Sequence, residues 1–180
     1  GVFLNAEFFA PWCIAARLAP EHSAPVLGPA SHLIIYHYVV EGELHIRVES
    51  EDGQRLVIGA GEVVVLPRND LHLMGSDLSL PPVAGSDVIH PPKNSGLFSI
   101  HHGGNGRRTR MVCGFLGCAS AEGNPVISTL PTLLKLNVEL NPFCELNDLV
   151  CAYLEQPRSR LADLYPLIAK AAKELAPEVA

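Results

Sequence analysis

Between residues 32 and 67 the sequence repeats one pattern, a short run of β-branched and aromatic residues followed by a turn that contains glycine. The runs read HLIIYHYVV, LHIRVES, RLVIG and VVVLP, and the turns between them read EGE, EDGQ and AGE. In the second run, Leu44, Ile46 and Val48 alternate with polar residues, which places the three on one face of a strand. Pro67 ends the last run. Short strands with glycine turns at this spacing predict a β-sandwich or barrel.

Residues 141–180 follow a different period. In CELNDLVCAYLEQ the apolar residues recur at helical spacing and form one stripe: Leu146, Leu149, Val150, Tyr153 and Leu154. The segment RSRLADLYPLIAKAAKELAPE continues this period, and Pro166 marks a kink or the true start of a second helix. We therefore expect a β-domain over 1–140 and two amphipathic helices over 141–180. Their apolar faces must pack on the outside of the β-domain or on a partner subunit.

Composition narrows the class of protein. The chain has 180 residues, 48% of them hydrophobic, which is enough for the core of one domain. A net charge of −6 argues against a chain that grips nucleic-acid phosphates by itself. No apolar run in this sequence is long enough to span a membrane, and we expect a protein without a signal peptide. The five cysteines are odd in number and form no C-x-x-C, so we expect a reduced, cytoplasmic protein without a disulfide framework.

Two motifs carry a family resemblance. The segment GEVVVLPRNDLH fits the second cupin motif, G-x5-P-x-G-x2-H, with Gly61, Pro67 and His72 in place. Asn69 stands where glycine is usual, and asparagine tolerates the left-handed turn conformation. The segment YVVEGELHI resembles the end of the first cupin motif, with Gly42 at the turn. The resemblance implies a mainly β fold, a cupin double-stranded β-helix or jelly roll, followed here by the two helices.

A narrower resemblance comes from an ordered set of segments. HYVVEGE, GAGEVVVLPRNDLHLMGSD, TRMVCGFLGC and STLPTLLKL follow one another, with APWC ahead and two helices behind. Together they resemble the N-terminal cupin domain of AraC-family transcriptional regulators, from about Phe8 to about Leu175. This implies a non-enzymatic domain that senses an effector, forms a homodimer and passes the signal to a DNA-binding helix-turn-helix domain. Because the chain begins at Gly1 and contains no such domain, we expect DNA binding in a longer parent protein only.

Metal binding is the sharpest prediction for the barrel interior. The first cupin motif normally supplies H-x-H and a glutamate, but Ile35 stands at the glutamate position and only His32 lies near the H-x-H positions. This departure disfavours the alternative function, a stand-alone metal-dependent cupin enzyme acting on a small substrate. His37 shares the interior face with Ile35, and His72 occupies the motif position. With a cysteine on a nearby strand and a second cysteine, they form a predicted zinc site: His37, His72, Cys113 and Cys13. The alternative is two hydrogen-bonded core histidines and a small buried thiol.

Two further roles are predicted for interior residues. Cys113 beside histidine is a candidate redox-sensing thiol, because a neighbouring cation can lower the pKa of a thiol. The residues predicted to contact a small-molecule effector are Ile35, Val39 and Trp12. Trp12 is either a lid over the barrel mouth or a core residue. If the interior is filled with side chains, the domain is instead a structural dimerisation module. The stripe formed by Leu146, Leu149, Val150, Tyr153 and Leu154 is the predicted dimer interface.

Overall fold

A computed structural model describes residues 2–19, 32–49, 53–92, 96–118, 127 and 129–137. These residues include the eleven strands and the short helix whose bounds follow. The strands are β1 (Val2–Phe9), β2 (Cys13–Ala16), β3 (His32–Glu41), β4 (Glu43–Val48), β5 (Arg55–Gly59), β6 (Glu62–Leu66), β7 (His72–Gly75), β8 (Val83–Ala84), β9 (Phe98–Gly103), β10 (Arg108–Cys118) and β11 (Leu134–Asn137). The helix is α1 (Gly85–Val88). The predicted helices and the apolar stripe of 141–180 lie outside the described residues.

The strands form two sheets that face each other. The six-stranded sheet has the order β11-β6-β3-β10-β1-β9, and the five-stranded sheet has the order β5-β4-β7-β2-β8. Neighbouring strands are antiparallel except for β1 with β9 and β2 with β8, which are parallel. The mainly β fold predicted from the sequence is confirmed. The Pro- and Gly-rich stretch after Ser76, where the sequence shows little period, adds α1 and the edge strands β8 and β9.

Turn chemistry explains why the chain reverses where it does. Gly42 has a φ of 78° between β3 and β4, and Gly61 has a φ of 81° between β5 and β6. Asn69 has a φ of 53°, so the left-handed conformation expected from its place in the motif is confirmed. Its side-chain amide also donates to the carbonyl of Leu18 and accepts from the amide of Leu18, which fastens this turn to the end of β2.

Inward-facing side chains of the two sheets fill the space between them. Ten of them have no measurable exposure: Ala6, Phe8, Ile14, Val39, Leu44, Ile46, Ile58, Val64, Leu66 and Met111. Because the exposed fraction of these side chains is zero, no space large enough for a water molecule adjoins them. The described interior is therefore close-packed around them, and burial of this apolar surface is the main force that holds the sheets together.

No helix in the described part of the chain is long and apolar enough to cross a membrane.

Candidate functional site

Three strands bring His37, His72 and Cys113 together in the interior. Cys113 on β10 is paired in register with His37 on β3, so the expectation that this cysteine lies near His37 is confirmed. His72 is the first residue of β7, in the other sheet. Nδ1 of His37 lies 2.9 Å from Sγ of Cys113, and Nε2 of His37 lies 3.1 Å from Nε2 of His72. The two histidines therefore connect the two sheets through the core.

The turn between β6 and β7 positions His72. Nδ1 of His72 lies 2.9 Å from the backbone oxygen of Asp70, two residues earlier. Arg68 holds the same turn from the other side, donating to the Leu130 carbonyl at 3.0 Å and to Oγ1 of Thr132 at 2.8 Å. The orientation of the His72 ring is thus set by its own turn before it meets His37.

One proton arrangement satisfies every neutral group in this chain of hydrogen bonds. A carbonyl only accepts, so Nδ1 of His72 carries the proton that it donates to Asp70. Nε2 of a neutral His72 is then an acceptor, and it receives the Nε2 proton of His37. This leaves Nδ1 of His37 as an acceptor for the thiol proton of Cys113. The tautomers are assigned from the hydrogen-bond partners.

Burial favours the neutral form of all three side chains. His37, His72 and Cys113 are 4%, 1% and 5% exposed. Burial lowers the pKa of His37 well below its ordinary value, and the neighbouring His72 lowers it further. Burial also lowers the pKa of His72, against the opposing effect of its bond to the Asp70 carbonyl. Burial raises the pKa of the Cys113 thiol to about 12.

A second feature is a small open cleft at one end of the barrel. It has a volume of about 200 Å³ and is lined by Ala10, Gly42, Glu43, His45, Ser76, Arg107, Arg108 and Thr109. Its charges face one another, because Arg107 lies 3.5 Å from Glu43, and Arg108 lies 2.7 Å from Glu41 and 3.2 Å from Glu7. No sequence pattern predicts this cleft, because its walls come from turns and strands that are far apart in the chain.

The glycine-rich segment GGNG, residues 103–106, has a packing role beside the cleft. Gly104 donates to the carbonyl of Phe9 at 2.7 Å, Gly106 donates to the carbonyl of Ala10 at 2.8 Å, and the Ala10 amide donates to the carbonyl of Arg107 at 3.0 Å. A Cβ at Gly104 or Gly106 would lie within 2.8 Å of the Ala10 carbonyl oxygen. The glycines let this loop approach the 9–11 segment closely.

Comparison with known proteins establishes the family. The family model described as "Cupin" matches residues 1–159. The chain belongs to the cupin family. No curated protein sequence matches this cupin significantly.

Two solved structures match the cupin domain at low similarity. The protein YhaK from Escherichia coli has 12% sequence identity and a TM-score of 0.41, covering 76% of this chain and 41% of YhaK. Unsaturated fatty acid bound wild-type ToxT from Vibrio cholerae has 14% identity and a TM-score of 0.37, covering 83% of this chain and 43% of ToxT. The cupin chain thus spans about two fifths of the length of each.

The predicted zinc ligands are brought together only in part. His37, His72 and Cys113 are neighbours, but Cys13 packs in a separate apolar cluster with Leu73 and Leu78. Within the described ranges no group of three or more His, Cys, Asp or Glu side chains is arranged to hold a metal ion. Cys113 and His72 sit on opposite ring nitrogens of His37, whose lone pairs diverge, so one ion cannot take the place of both contacts. Zinc binding stays a prediction that elemental analysis tests.

The residues predicted to bind an effector all belong to the packed core. Ile35 is 6% exposed, Val39 has no measurable exposure, and Trp12 is 2% exposed. The Trp12 ring stacks on Phe8 with centroids 4.0 Å apart and planes 10° from parallel, as expected of a core residue rather than a lid. Its buried Nε1 has no hydrogen-bond partner among the residues that the structure describes. Effector contact by these three residues stays a prediction, and it requires side chains to move.

Proposed function

We propose that this cupin domain is the effector-sensing and dimerising part of an AraC-type transcriptional regulator in the cytoplasm. The observation that carries the proposal is the ordered set of segments that resembles this class. HYVVEGE forms the end of β3 and the turn into β4, GAGEVVVLPRNDLHLMGSD runs from the end of β5 through β7, and TRMVCGFLGC lies within β10. The described cysteines Cys13 and Cys113 are free thiols, which is consistent with a reducing compartment.

The effector in this proposal is a small molecule that acts by shifting a population. A ligand that binds one arrangement of the barrel and the predicted helices better than another biases the geometry of the dimer by no more than its differential affinity. Such coupling is typically about 1–3 kcal/mol. The cleft suits this role because its walls include Thr109 of the six-stranded sheet and Glu43 of the five-stranded sheet. Thr109 already donates to the Glu43 carbonyl at 2.9 Å, so a molecule seated there would touch a contact between the sheets.

Dimerisation in this proposal uses the apolar stripe of the first predicted helix. Replacing Leu149 or Tyr153 by aspartate would bury a charge in an isologous contact, which is strongly unfavourable. We expect Leu149→Asp and Tyr153→Asp each to give a monomer by light scattering. A dimer that survives both substitutions would place the interface elsewhere.

Binding of DNA by the natural full-length polypeptide tests the regulatory role. The experiment is an electrophoretic mobility shift with DNA from upstream of its own gene, using the wild type and Leu149→Asp. We expect the wild type to shift the DNA and the monomeric variant to bind it at least tenfold more weakly, because two linked half-sites are replaced by one. A full-length wild type that binds no DNA would overturn the regulatory proposal.

A second candidate, a structural dimerisation module without a ligand, draws support from the packed interior. A thermal-shift screen of small molecules separates it from an effector sensor, because a ligand of the native state raises Tm. The alternative of a metal-dependent cupin enzyme has less support, since such chemistry needs several converging ligands and an open coordination position.

A further inference from the structure

The chain of hydrogen bonds through His37 crosses the centre of the fold. His37 lies on β3 and Cys113 on β10, both inside the six-stranded sheet, while His72 lies on β7, the middle strand of the five-stranded sheet. The surrounding interior is apolar, with Ile35, Ile46 and Met111 in the same core cluster. A buried polar group that lacks a partner in such an interior is destabilising, so the loss of one bond in the chain leaves a neighbouring polar atom unpaired.

We propose that Cys113, His37, His72 and the Asp70 carbonyl form a proton-ordered, metal-independent clamp that fixes the position of one sheet against the other. The bonds run in one direction, from the thiol to His37, from His37 to His72, and from His72 to the carbonyl. Each imidazole donates from one nitrogen and accepts at the other, so neither ring has a free lone pair.

The same geometry disfavours a metal ion at this position. An ion bound to Nε2 of both histidines would have to replace the proton between them, and Cys113 would remain on the far side of the His37 ring. An ion bound between Cys113 and Nδ1 of His37 would likewise leave His72 outside its coordination shell. Either arrangement offers two protein ligands, whereas zinc sites use three or four.

The clamp gives Cys113, His37 and His72 a structural role that the proposed function does not require. It predicts that the domain does not sense a metal ion at these residues, whichever small molecule it does sense. The clamp and the regulatory proposal can fail separately. The clamp is tested by the positions of the imidazole protons and by the effect of zinc, whereas the regulatory proposal is tested by DNA binding.

Nuclear magnetic resonance of the imidazole nitrogens tests the proton order directly. The probe is long-range ¹H–¹⁵N correlation on tag-free, ¹⁵N-labelled protein at neutral pH, first with EDTA and then with one equivalent of Zn²⁺. We expect His72 to carry its proton on Nδ1 and His37 on Nε2, with no change when zinc is added. The opposite tautomers, or zinc-dependent shifts of both rings at one ion per chain, would overturn the proposal.

Thermal unfolding supplies a second, independent test. If the three residues form a clamp, we expect Tm of the wild type to be the same within about 1 °C in EDTA and in excess zinc. For a metal site, zinc at a hundred times its dissociation constant raises Tm by about 5 °C or more. Such a rise would overturn the proposal.

Substitution of the thiol sharpens this comparison. We expect Cys113→Ala to lower Tm by several degrees, equally in EDTA and in zinc, and to change the His37 nitrogen shifts. Cys13→Ala is the matched control, because Cys13 is also buried but lies in the separate cluster with Leu73 and Leu78. It should leave the His37 shifts unchanged. A Tm loss for Cys113→Ala that appears only in zinc would contradict the clamp, and if this variant does not fold the wild-type measurements still decide.

Discussion

Nε2 of His37 and Nε2 of His72 lie 3.1 Å apart, although the two residues belong to different sheets and are separated by 35 positions in the chain. The contact is a hydrogen bond only while one of the two nitrogens is unprotonated. A proton added to His72 would leave two N–H donors facing each other in an apolar interior, because Nδ1 of His72 already donates to Asp70. The contact therefore requires a neutral His72, and a proton added to His37 would likewise put a second N–H on Nδ1, where this ring accepts the thiol proton of Cys113.

This linkage predicts that the domain loses stability when the pH falls below about 6.5. Both histidines have a pKa lowered from 6.5 in the folded state, whereas the unfolded chain takes up protons near the ordinary value. The unfolded state then binds more protons, so the free energy of unfolding rises with pH in this range. The contribution is complete above the unfolded pKa and is lost as the pH falls below it. Urea unfolding at pH 8, 7, 6 and 5 measures the effect.

Carboxylates affect the stability of the domain in a separate, more acidic pH range. The pKa of Glu62 is lowered from 4.5 by its bonds to the Gly59 amide and to Lys135, and the pKa of Asp77 is lowered from 3.8 chiefly by Ser79. Their effect fades only as the pH falls through that lower range. A free energy of unfolding that stays constant between pH 8 and pH 5 would contradict the predicted role of the histidines.

Removal of the His72 ring is expected to destabilise the domain by about 2–4 kcal/mol. His72→Ala leaves a cavity and removes the acceptor for the His37 proton in a fully buried setting. Chemical unfolding of His72→Ala and of His101→Ala makes the comparison. The side chain of His101 is 71% exposed and contacts Glu7 at the surface, so its loss should change stability by no more than about 0.5 kcal/mol. Equal effects of the two substitutions would show that the buried contact is not stabilising.

The location of this contact could be predicted from the sequence, but its chemistry could not. Strand alternation places His37 on the same face as Ile35, and the family motif places His72 at the start of β7. These two patterns are enough to predict that the two histidines converge. Which ring nitrogen faces which partner depends on ring orientation, which is set by the Asp70 carbonyl and by the β3–β10 register. Neither has a sequence signal.

Cys13 shows the limit of reasoning by residue type. It is a buried cysteine on a strand next to β7, as a fourth metal ligand would be, yet it pairs with Gly75 and packs against Leu73 and Leu78. The face that a short strand presents depends on where pairing begins, and four residues preceded by Pro11 do not fix that phase. The cleft could not be predicted from the sequence for a related reason, since its lining residues are far apart in the chain and meet only in the folded domain.

Slow chemical modification of Cys113 is expected in the folded domain. The thiolate is the reactive species, and burial raises the pKa of this thiol to about 12 while only 5% of the residue is exposed. Labelling with iodoacetamide at neutral pH, followed by peptide mass spectrometry, should give modification of Cys113 at least a hundredfold slower than in urea. Cys13 is also buried and has a raised pKa, so it should likewise be modified more slowly in the folded domain than in urea. Rapid modification of Cys113 in the folded protein would instead support its predicted role as a redox sensor.

Gly103 offers a test of the backbone packing beside the cleft. It has a φ of 119° and pairs with Phe9, and a Cβ at this position would collide with the Phe9 carbonyl oxygen. Gly103→Ala therefore adds a clash with backbone to an unfavourable dihedral angle, and we expect a loss of about 3 kcal/mol or more in the free energy of unfolding.

The matched control for this substitution is Gly53→Ala. Gly53 has a φ of 52°, but no atom of the described part of the chain lies within 4 Å of its added Cβ, so only the dihedral effect of about 1 kcal/mol should appear. The difference between the two variants in urea unfolding measures the close approach between β9 and the 9–11 segment together with the less favourable dihedral angle at Gly103. If the two substitutions destabilise the protein equally, the Gly103 loop does not pack on Phe9 as described. The placement of Ala10 and Arg107 in the cleft wall would then be wrong too, because the same loop positions both residues.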